Sequence, residues 1–302
     1  MTASRFQMNW VISQDDAGKL IKEFLKKEEI SRTALTDIKF KGGSIQVNGK
    51  EVNVRYKLAA GDVLRVVFPD EIPSEGVSGE DIPLRILFED EHIIVVNKPS
   101  GMNTIPSREH PTGSLANALV GYYQRIGLRA APHIVTRLDR DTSGIVLIAK
   151  HRHVHHLFSM MQQGGQVKRT YEAFAGGVIS QDCGTIREPI GRKQESIIER
   201  EVRDDGQYAC THFQVIERHC LFTYTELQLE TGRTHQIRVH MSFLRHPLLG
   251  DDLYGGDVSL IDRQALHCKK IKFTHPFLGE EMTFSAPLPT DMRKILEADP
   301  LL

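Results

Sequence analysis

The chain has 302 residues, with 38 Lys and Arg against 39 Asp and Glu and a hydrophobic fraction of 40%. That length suits about one and a half to two ordinary domains, the near-zero net charge gives no argument for nucleic-acid binding, and no apolar run approaches the roughly 18 to 20 residues of a bilayer span. No membrane role is indicated. The first ten residues, Met1 to Trp10, lack the apolar core of a secretory signal, so a cytoplasmic protein is expected. Cys183, Cys210, Cys220 and Cys268 are widely spaced and form no Cys-x-x-Cys pair. They read as reduced interior thiols, with neither a disulfide framework nor a metal site implied.

From Ala17 to Pro69 the pattern is compact and basic. Leu20, Ile21, Phe24 and Leu25 recur at helical spacing, with Lys19, Lys22, Lys26 and Lys27 on the other positions. Ser31 is a good N-cap for a second helix through Ile38. Ile45 to Val47 alternates as a strand, Asn48-Gly49 is a strong hairpin turn, and Glu51 to Tyr56 is the predicted return strand. The turn Leu58 to Asp62 then leads into Val63 to Val67. Between 17 and 69, eleven Lys and Arg oppose six Asp and Glu, a local positive footprint that a merely solvated helix face would also produce. The helix pair, the basic run ending Lys41-Gly42-Gly43, the strand Ile45 to Lys50 and the tail Tyr56 to Asp62 resemble an S4 RNA-binding domain. That resemblance implies that residues 1–70 meet structured RNA, with Lys19, Lys22, Arg32, Lys39 and Lys41 as candidate contacts.

Residues 71–83 are acidic and rich in Pro, Gly and Ser, and read as a mobile linker to a second domain over 84–302. Beyond it the chain turns β-rich. Ile93 to Val96 is a continuous apolar strand ending in the loop Asn97 to Gly101. Helices are predicted from Ser114 into Tyr123 and from His151 to Gln163, strands at Tyr171 to Val178 and Thr234 to His240, and a hairpin from Thr211 to Glu217 and Phe222 to Leu229. Hairpins and helices mix without regular alternation, which favours an α+β class with a large mixed or antiparallel sheet.

The stretch His133 to Lys150 reads strand, loop, strand, with Asp139 carried on the loop. By local grammar alone Asp139, Asp141 and Thr142 are better explained as turn residues bonding nearby amides. Two further segments supply polar groups on apolar frames: Lys168 to Tyr171, and Thr231 to Arg238. If the latter is a strand, Gln236, Arg238 and His240 share one face. A carboxylate that acts as nucleophile near pH 7 must stay ionised while partly desolvated, and an arginine partner offsets the effect of burial. Asp139, Arg238 and Tyr171 are therefore the candidate nucleophile, counter-ion and aromatic.

Arg137-Leu-Asp139-Arg-Asp-Thr-Ser-Gly144 is similar to the Arg-Leu-Asp-x-x-Thr-Ser-Gly signature of the RluA family of pseudouridine synthases. Asn97 to Gly101, Pro189 to Arg192, Thr231 to His240, His246 to Asp251 and Ala286 to Pro289 match the same family in order. The resemblance implies isomerisation of uridine in RNA to pseudouridine, without cofactor or metal. It implies Asp139 as nucleophile, Arg238 as its partner, and Tyr171 stacked on the uracil and sharing in removal of the C5 proton. Arg137 is the candidate to take the place of the flipped uridine, and Arg233, Lys168, Lys98 and Gln236 join it as substrate-binding candidates. Ribosomal RNA is the preferred substrate with tRNA open, and a monomer is expected. Two positions depart from the family: Thr136 stands where His is usual, and the segment after Arg192 is acidic where the family tends to be basic.

Competing readings are weaker. His151, His153, His155 and His156 lack the acidic or cysteine ligand a metal site would add. Trp10 and the Tyr122-Tyr123 pair suit packing better than base stacking. A protein that only grips RNA would have no use for a buried carboxylate, and a glycosidase would need a second one, for which Asp141 is the nearest candidate.

Overall fold

The computed structural model describes residues 5–73 and 76–298. Near the N-terminus, strands β1 (Gln7–Val11), β2 (Ser44–Val47), β3 (Lys50–Glu51) and β4 (Val63–Val67) form an antiparallel sheet in the order β1-β4-β2-β3. Helices α1 (Ile21–Lys27) and α2 (Arg32–Phe40) share a core with it. Ile21, Phe24, Leu25 and Ile38 meet Ile45, Val47, Leu64 and Val66, all buried. Local signals explain much of this part. The Ser31 hydroxyl accepts the Ala34 amide at 3.1 Å, and Asn48 and Gly49 take φ of 51° and 77°, the left-handed pair a tight hairpin needs. The return strand is shorter than expected, since pairing stops at Glu51. Strand β1 lacked a clear pattern because both its faces are at most half-buried.

The larger sheet holds β5 (Ile86–Glu89), β6 (Ile93–Lys98), β7 (His133–Ile134), β8 (Ser143–Ala149), β9 (Lys168–Gly176) and β10 (Cys183–Ile186). A separate small hairpin pairs β11 (Ile190–Arg192) with β12 (Arg200–Val202). The large sheet is completed by β13 (Thr211–Arg218), β14 (Phe222–Leu229), β15 (Leu266–Thr274) and β16 (Glu281–Ser285). Its order is β10-β13-β14-β9-β15-β8-β6-β5, with β16 beside β15 and β7 beside β8. All pairings are antiparallel except β15 with β8, so the expected α+β class with a large mixed sheet is what the chain forms. Gly144 sits at that parallel seam with φ 118°, and a Cβ there would lie 2.3 Å from the Cys268 carbonyl oxygen. Only glycine fits so close a backbone approach.

The helices of this part are α3 (Leu115–Ile126), α4 (Arg152–Gln163), α5 (Gln236–Phe243) and α6 (Thr290–Ala298). The first two lie where periodicity placed them. Helix α5 corrects the strand expected over Thr234 to His240. Ile237 and Met241, one turn apart, enter the main core, while Val239 packs with Ile190 and Ala209 in a second cluster. Residues Gln236 to Met241 are all buried, so no amphipathic stripe marked the helix, and the β-branched residues imitated a strand.

The stretch 71–83 is also not free in its described residues. The Glu71 amide bonds the Arg129 carbonyl, its carboxylate meets His133 and the Arg152 amide, the Ser78 carbonyl accepts from Asn117, and the Glu80 amide bonds the Asn117 carbonyl. Ser78 and Glu80 are thus tied to α3, and Glu71 to residues beyond its end. The histidines of α4 serve the same junction, His151 stacking on Phe6 at 4.2 Å and His153 on Phe68 at 5.7 Å. Two of the four thiols, Cys210 and Cys268, are interior, whereas Cys183 and Cys220 are exposed. Trp10 packs edge-on to Phe24 and Tyr123 is buried, as packing residues should be.

Candidate active site

The loop between β7 and β8 carries Asp139, and nearly every group along it is held. Thr104 Oγ1 donates to the Leu138 carbonyl at 2.6 Å and accepts the Leu138 amide at 3.2 Å. Arg263 donates to the Asp141 carbonyl at 3.0 Å, and Gln264 reaches the Thr142 hydroxyl at 3.1 Å. Lys98, at the end of β6 and 1% exposed, gives its three protons to the carbonyls of Pro99, Met102 and Arg140 at 2.7 to 3.0 Å. It has no donor left for substrate, which corrects its expected role: Lys98 positions the loop. Thr136, in the place of the family's usual histidine, is likewise turned inward and accepts the Leu147 amide at 2.9 Å.

Burial pushes the Lys98 ammonium down to about 7, against the charges of Asp141 and Asp139. Between that value and the ordinary one of 10.5 the unfolded chain holds a proton that the folded chain does not, so this group's contribution to stability rises with pH across that window. Lys98→Met should abolish that rise and, by loosening the Arg140 carbonyl next to Asp139 from the loop after β6, lower turnover by about 10- to 100-fold with RNA affinity retained. Stability measured against pH and single-turnover rates check both parts; an unchanged rate would make Lys98 a bystander.

Asp139 itself is part-buried, its side chain 28% exposed. Arg238 on α5 places Nη1 3.3 Å from Asp139 Oδ2, so the pair foreseen 99 residues apart in sequence does meet. The primary partner of Arg238 is another residue. Asp251, fully buried, takes Nε and Nη2 of the guanidinium in a bidentate pair at 2.7 Å each. Burial opposes the Arg238 charge, and the Asp251 hydrogen bonds outweigh it, holding its pKa above the ordinary value. The Asp251 role was missed, although its motif was noticed, because the expected strand concealed which side of α5 would face it.

Tyr171 on β9 lies on the same pocket, 3% exposed, with Arg169 Nη1 3.3 Å from its hydroxyl. Burial pushes the phenol well above its usual pKa despite Arg169, so it is present as neutral phenol. His235 completes the ring around Asp139, with Nε2 at 3.8 Å from Oδ2 and Nδ1 at 2.7 Å from the Tyr254 hydroxyl. Burial lowers its pKa, against the attraction of Asp139, and leaves the imidazole neutral near pH 7. Gln236, by contrast, is spent. Its amide oxygen accepts from Thr231 and the Arg233 amide and its nitrogen bonds the Cys210 carbonyl and Thr211, so it braces the turn and does not reach substrate as expected.

The Asp139 pocket adjoins a cleft of about 1140 Å³, the two sharing Arg137, Arg169, Leu229, Gly232 and Arg233 in their walls. Lys168, Lys270 and Lys272 add to the cleft, against Glu230 as its one acidic wall residue. Arg137 is exposed at the junction, and exposed Arg233 donates through Nε to the Tyr208 carbonyl at 3.0 Å. Asp141 does not line the Asp139 pocket. A second carboxylate of the kind a glycosidase needs is thus not placed there.

Of the N-terminal candidates, Lys22, Arg32 and Lys39 are exposed, Lys39 lying 4.7 Å over the Phe40 ring. Lys19 and Lys41 are engaged with Asp16 at 2.6 Å and Asp37 at 2.9 Å. Among the described residues, Cys210, His212 and Glu230 converge within 4.8 Å, a cluster the sequence reading did not foresee. His212 already bonds Glu230 at 2.8 Å and Thr185 at 2.9 Å, so these contacts are accounted for as an ion pair with its support.

Known proteins share the sequence and the fold of this chain. Residues 92–243 match the family model described as RNA pseudouridylate synthase. The chain is 54% identical to the uncharacterized RNA pseudouridine synthase YjbO of Bacillus subtilis, over 92% of this chain and 99% of that one. It is 35% identical to the ribosomal large subunit pseudouridine synthase D of Xanthomonas campestris, over 95% and 91% of the two chains. Among solved structures, the human RNA pseudouridylate synthase domain containing 4 superposes with a TM-score of 0.58 at 24% identity, covering 70% of this chain and 91% of that one, which shows a shared fold. With the sequence matches and the fold in agreement, the chain belongs to the RluA family of RNA pseudouridine synthases.

Proposed function

We propose that this pseudouridine synthase acts on ribosomal RNA, with Asp139 as nucleophile and an S4-like N-terminal domain, residues 1–70, helping to grip the substrate. The observation that carries the reading is the pairing of a part-buried carboxylate on a braced loop with Arg238 Nη1 at 3.3 Å, beside a cleft lined with cations. Several relatives are named for the large ribosomal subunit, which favours ribosomal RNA over tRNA. The cleft suits the phosphate chain, and Arg137 at the pocket mouth is placed to fill the gap left by a uridine turned out of its stack.

In this reading Asp139 bonds the nucleotide, the bond from C1′ to uracil N1 breaks, and the ring turns; C5 then bonds C1′ and Asp139 is released, the C5 proton passing to solvent while N1 takes one up. Arg238 keeps the nucleophile charged, and Tyr171 supports the ring as a neutral phenol, since burial disfavours its acting as a phenolate base. The alternative, a protein that grips RNA without changing it, is disfavoured by the buried Arg238 and Asp251 pair that serves Asp139.

Mapping pseudouridines in total RNA with and without the gene tests the substrate. A site lost from ribosomal RNA is the expected result, and losses confined to tRNA would overturn the choice. For the N-terminal part, replacing Lys22, Arg32 and Lys39 together by Ala should weaken RNA binding and reduce the slope of log affinity against log salt by about two. An unchanged slope in a filter-binding titration would remove residues 1–70 from the RNA interface.

A further inference from the structure

Among the groups around Asp139, His235 is the one to which the reaction as written assigns no task. It is also held in a particular conformation. Its backbone sits at φ 58°, a left-handed conformation uncommon for a residue with a side chain, at the N-terminus of α5. Its ring is mostly buried, with 12% of the side chain exposed in the pocket that contains Asp139 and Tyr171.

Two neighbours, Tyr254 and Asp139, bear on its tautomer. The Tyr254 oxygen accepts the Arg200 amide at 2.9 Å, and the same hydroxyl lies 2.7 Å from His235 Nδ1. The Asp139 carboxylate, 3.8 Å from Nε2, favours a proton on that nitrogen over a lone pair facing it. With the neutral ring in that tautomer Nδ1 is the acceptor, and the Tyr254 hydroxyl has a proton to give it. Arg238, 5.0 Å from the Tyr254 ring, holds that phenol from the other side. The Nε2 proton faces Asp139 from 3.8 Å, beyond hydrogen-bond range. A donor has thus been built, oriented and left open toward the reacting centre.

We propose that His235 Nε2–H donates a hydrogen bond to a carbonyl oxygen of the uracil ring as it leaves the sugar, a role that rests on the Asp139 reading above. When the C1′–N1 bond breaks, its electron pair stays on the uracil and spreads from N1 to O2 and O4. A fixed N–H aimed at either oxygen stabilises that charge more than it stabilises the neutral base of the bound substrate, and such a difference lowers a barrier. The proton stays on Nε2 throughout. As C5 bonds C1′ the pair is withdrawn from the ring and the hydrogen bond weakens again. Being neutral, the ring performs this without adding a second full positive charge to the one Arg238 brings, so Asp139 keeps its own pairing. The charged and titratable groups that face it are Asp139, Arg238, Arg200, Asp251 and Tyr254.

The test pairs changes in the protein with changes in the base. An RNA oligonucleotide that the wild type converts is prepared with uridine, 2-thiouridine or 4-thiouridine at the reacting position, so that a failure of the parent reading is seen before the comparison begins. Sulfur is the poorer acceptor. The wild type should slow about tenfold in single turnover with one of the two thio bases, and that one names the oxygen contacted. His235→Asn keeps a residue that tolerates the left-handed backbone but stops short of the pocket. It should be about 100-fold slower on uridine and should no longer distinguish sulfur from oxygen. His235→Gln, which carries an N–H further out, should recover part of the rate. RNA affinity and melting temperature of His235→Asn are expected to match the wild type. The proposal is overturned if His235→Asn keeps the thio effect, which a merely structural loss would leave intact, if it turns over uridine within about threefold of the wild type, or if the wild type shows no thio effect at either position.

Discussion

Asp139→Asn should reduce pseudouridine formation by more than about 10⁴-fold while changing RNA affinity by less than about threefold. Asparagine keeps the shape of the side chain and withdraws the oxyanion, so the loss falls on bond making alone. Folding should be nearly untouched, for a reason particular to this site. Arg238 is neutralised by Asp251 through two hydrogen bonds of 2.7 Å, and the single 3.3 Å contact to Asp139 is the lesser part of its pairing. Removal of the Asp139 charge therefore leaves no buried cation without a partner. In the proposed reading RNA affinity resides in the cleft cations, including Arg137, Lys168, Arg169 and Arg233, none of which has a hydrogen bond or ion pair to Asp139. Single-turnover conversion and filter binding on the same purified variant separate the two quantities. Turnover within tenfold of the wild type would end the nucleophile assignment, and a collapse of affinity would mean that Asp139 holds the RNA more than it reacts with it.

What could be read from the chain divides along a physical line. Ser31, Ser114 and Asn48-Gly49 act through bonds to neighbours within three or four residues or through their own dihedral preference, and each stands where local rules put it. The meeting of Asp139 with Arg238 was anticipated because a nucleophilic carboxylate in a pocket requires a cation, and the motifs supplied one. Helix α5 was misread because burial on every side removes the periodic contrast from which a helix is recognised. Lys98 and Gln236 were misassigned for a different reason. A polar residue in a motif looks available until its partners are counted, and here three carbonyls consume Lys98 while four groups consume Gln236. Asp251 ends a recognised motif and Tyr254 lies just beyond it, but neither carries a local sign of its partner, which appears only when α5 presents Arg238 and His235 to them.

The buried pair of Arg238 and Asp251 gives the other large effect, and it falls on stability and catalysis separately. Asp251→Ala should destabilise the protein by about 3 to 5 kcal/mol, because Arg238, 8% exposed, is left in the interior with only a distant share in Asp139. Arg238→Met should cost a similar amount by orphaning Asp251, which is fully buried. Neither single variant distinguishes a structural pair from a catalytic one, since both lose turnover along with fold. The double variant Arg238→Met with Asp251→Leu does. Apolar side chains of similar volume satisfy the site without ions, so stability in urea unfolding should return to within about 1 to 2 kcal/mol of the wild type. Asp139 would then face a well-folded but uncharged wall, and turnover should stay at least about 10³-fold down. Recovery of activity together with stability would show that the guanidinium serves the fold alone and that Asp139 needs no counter-ion to remain a nucleophile.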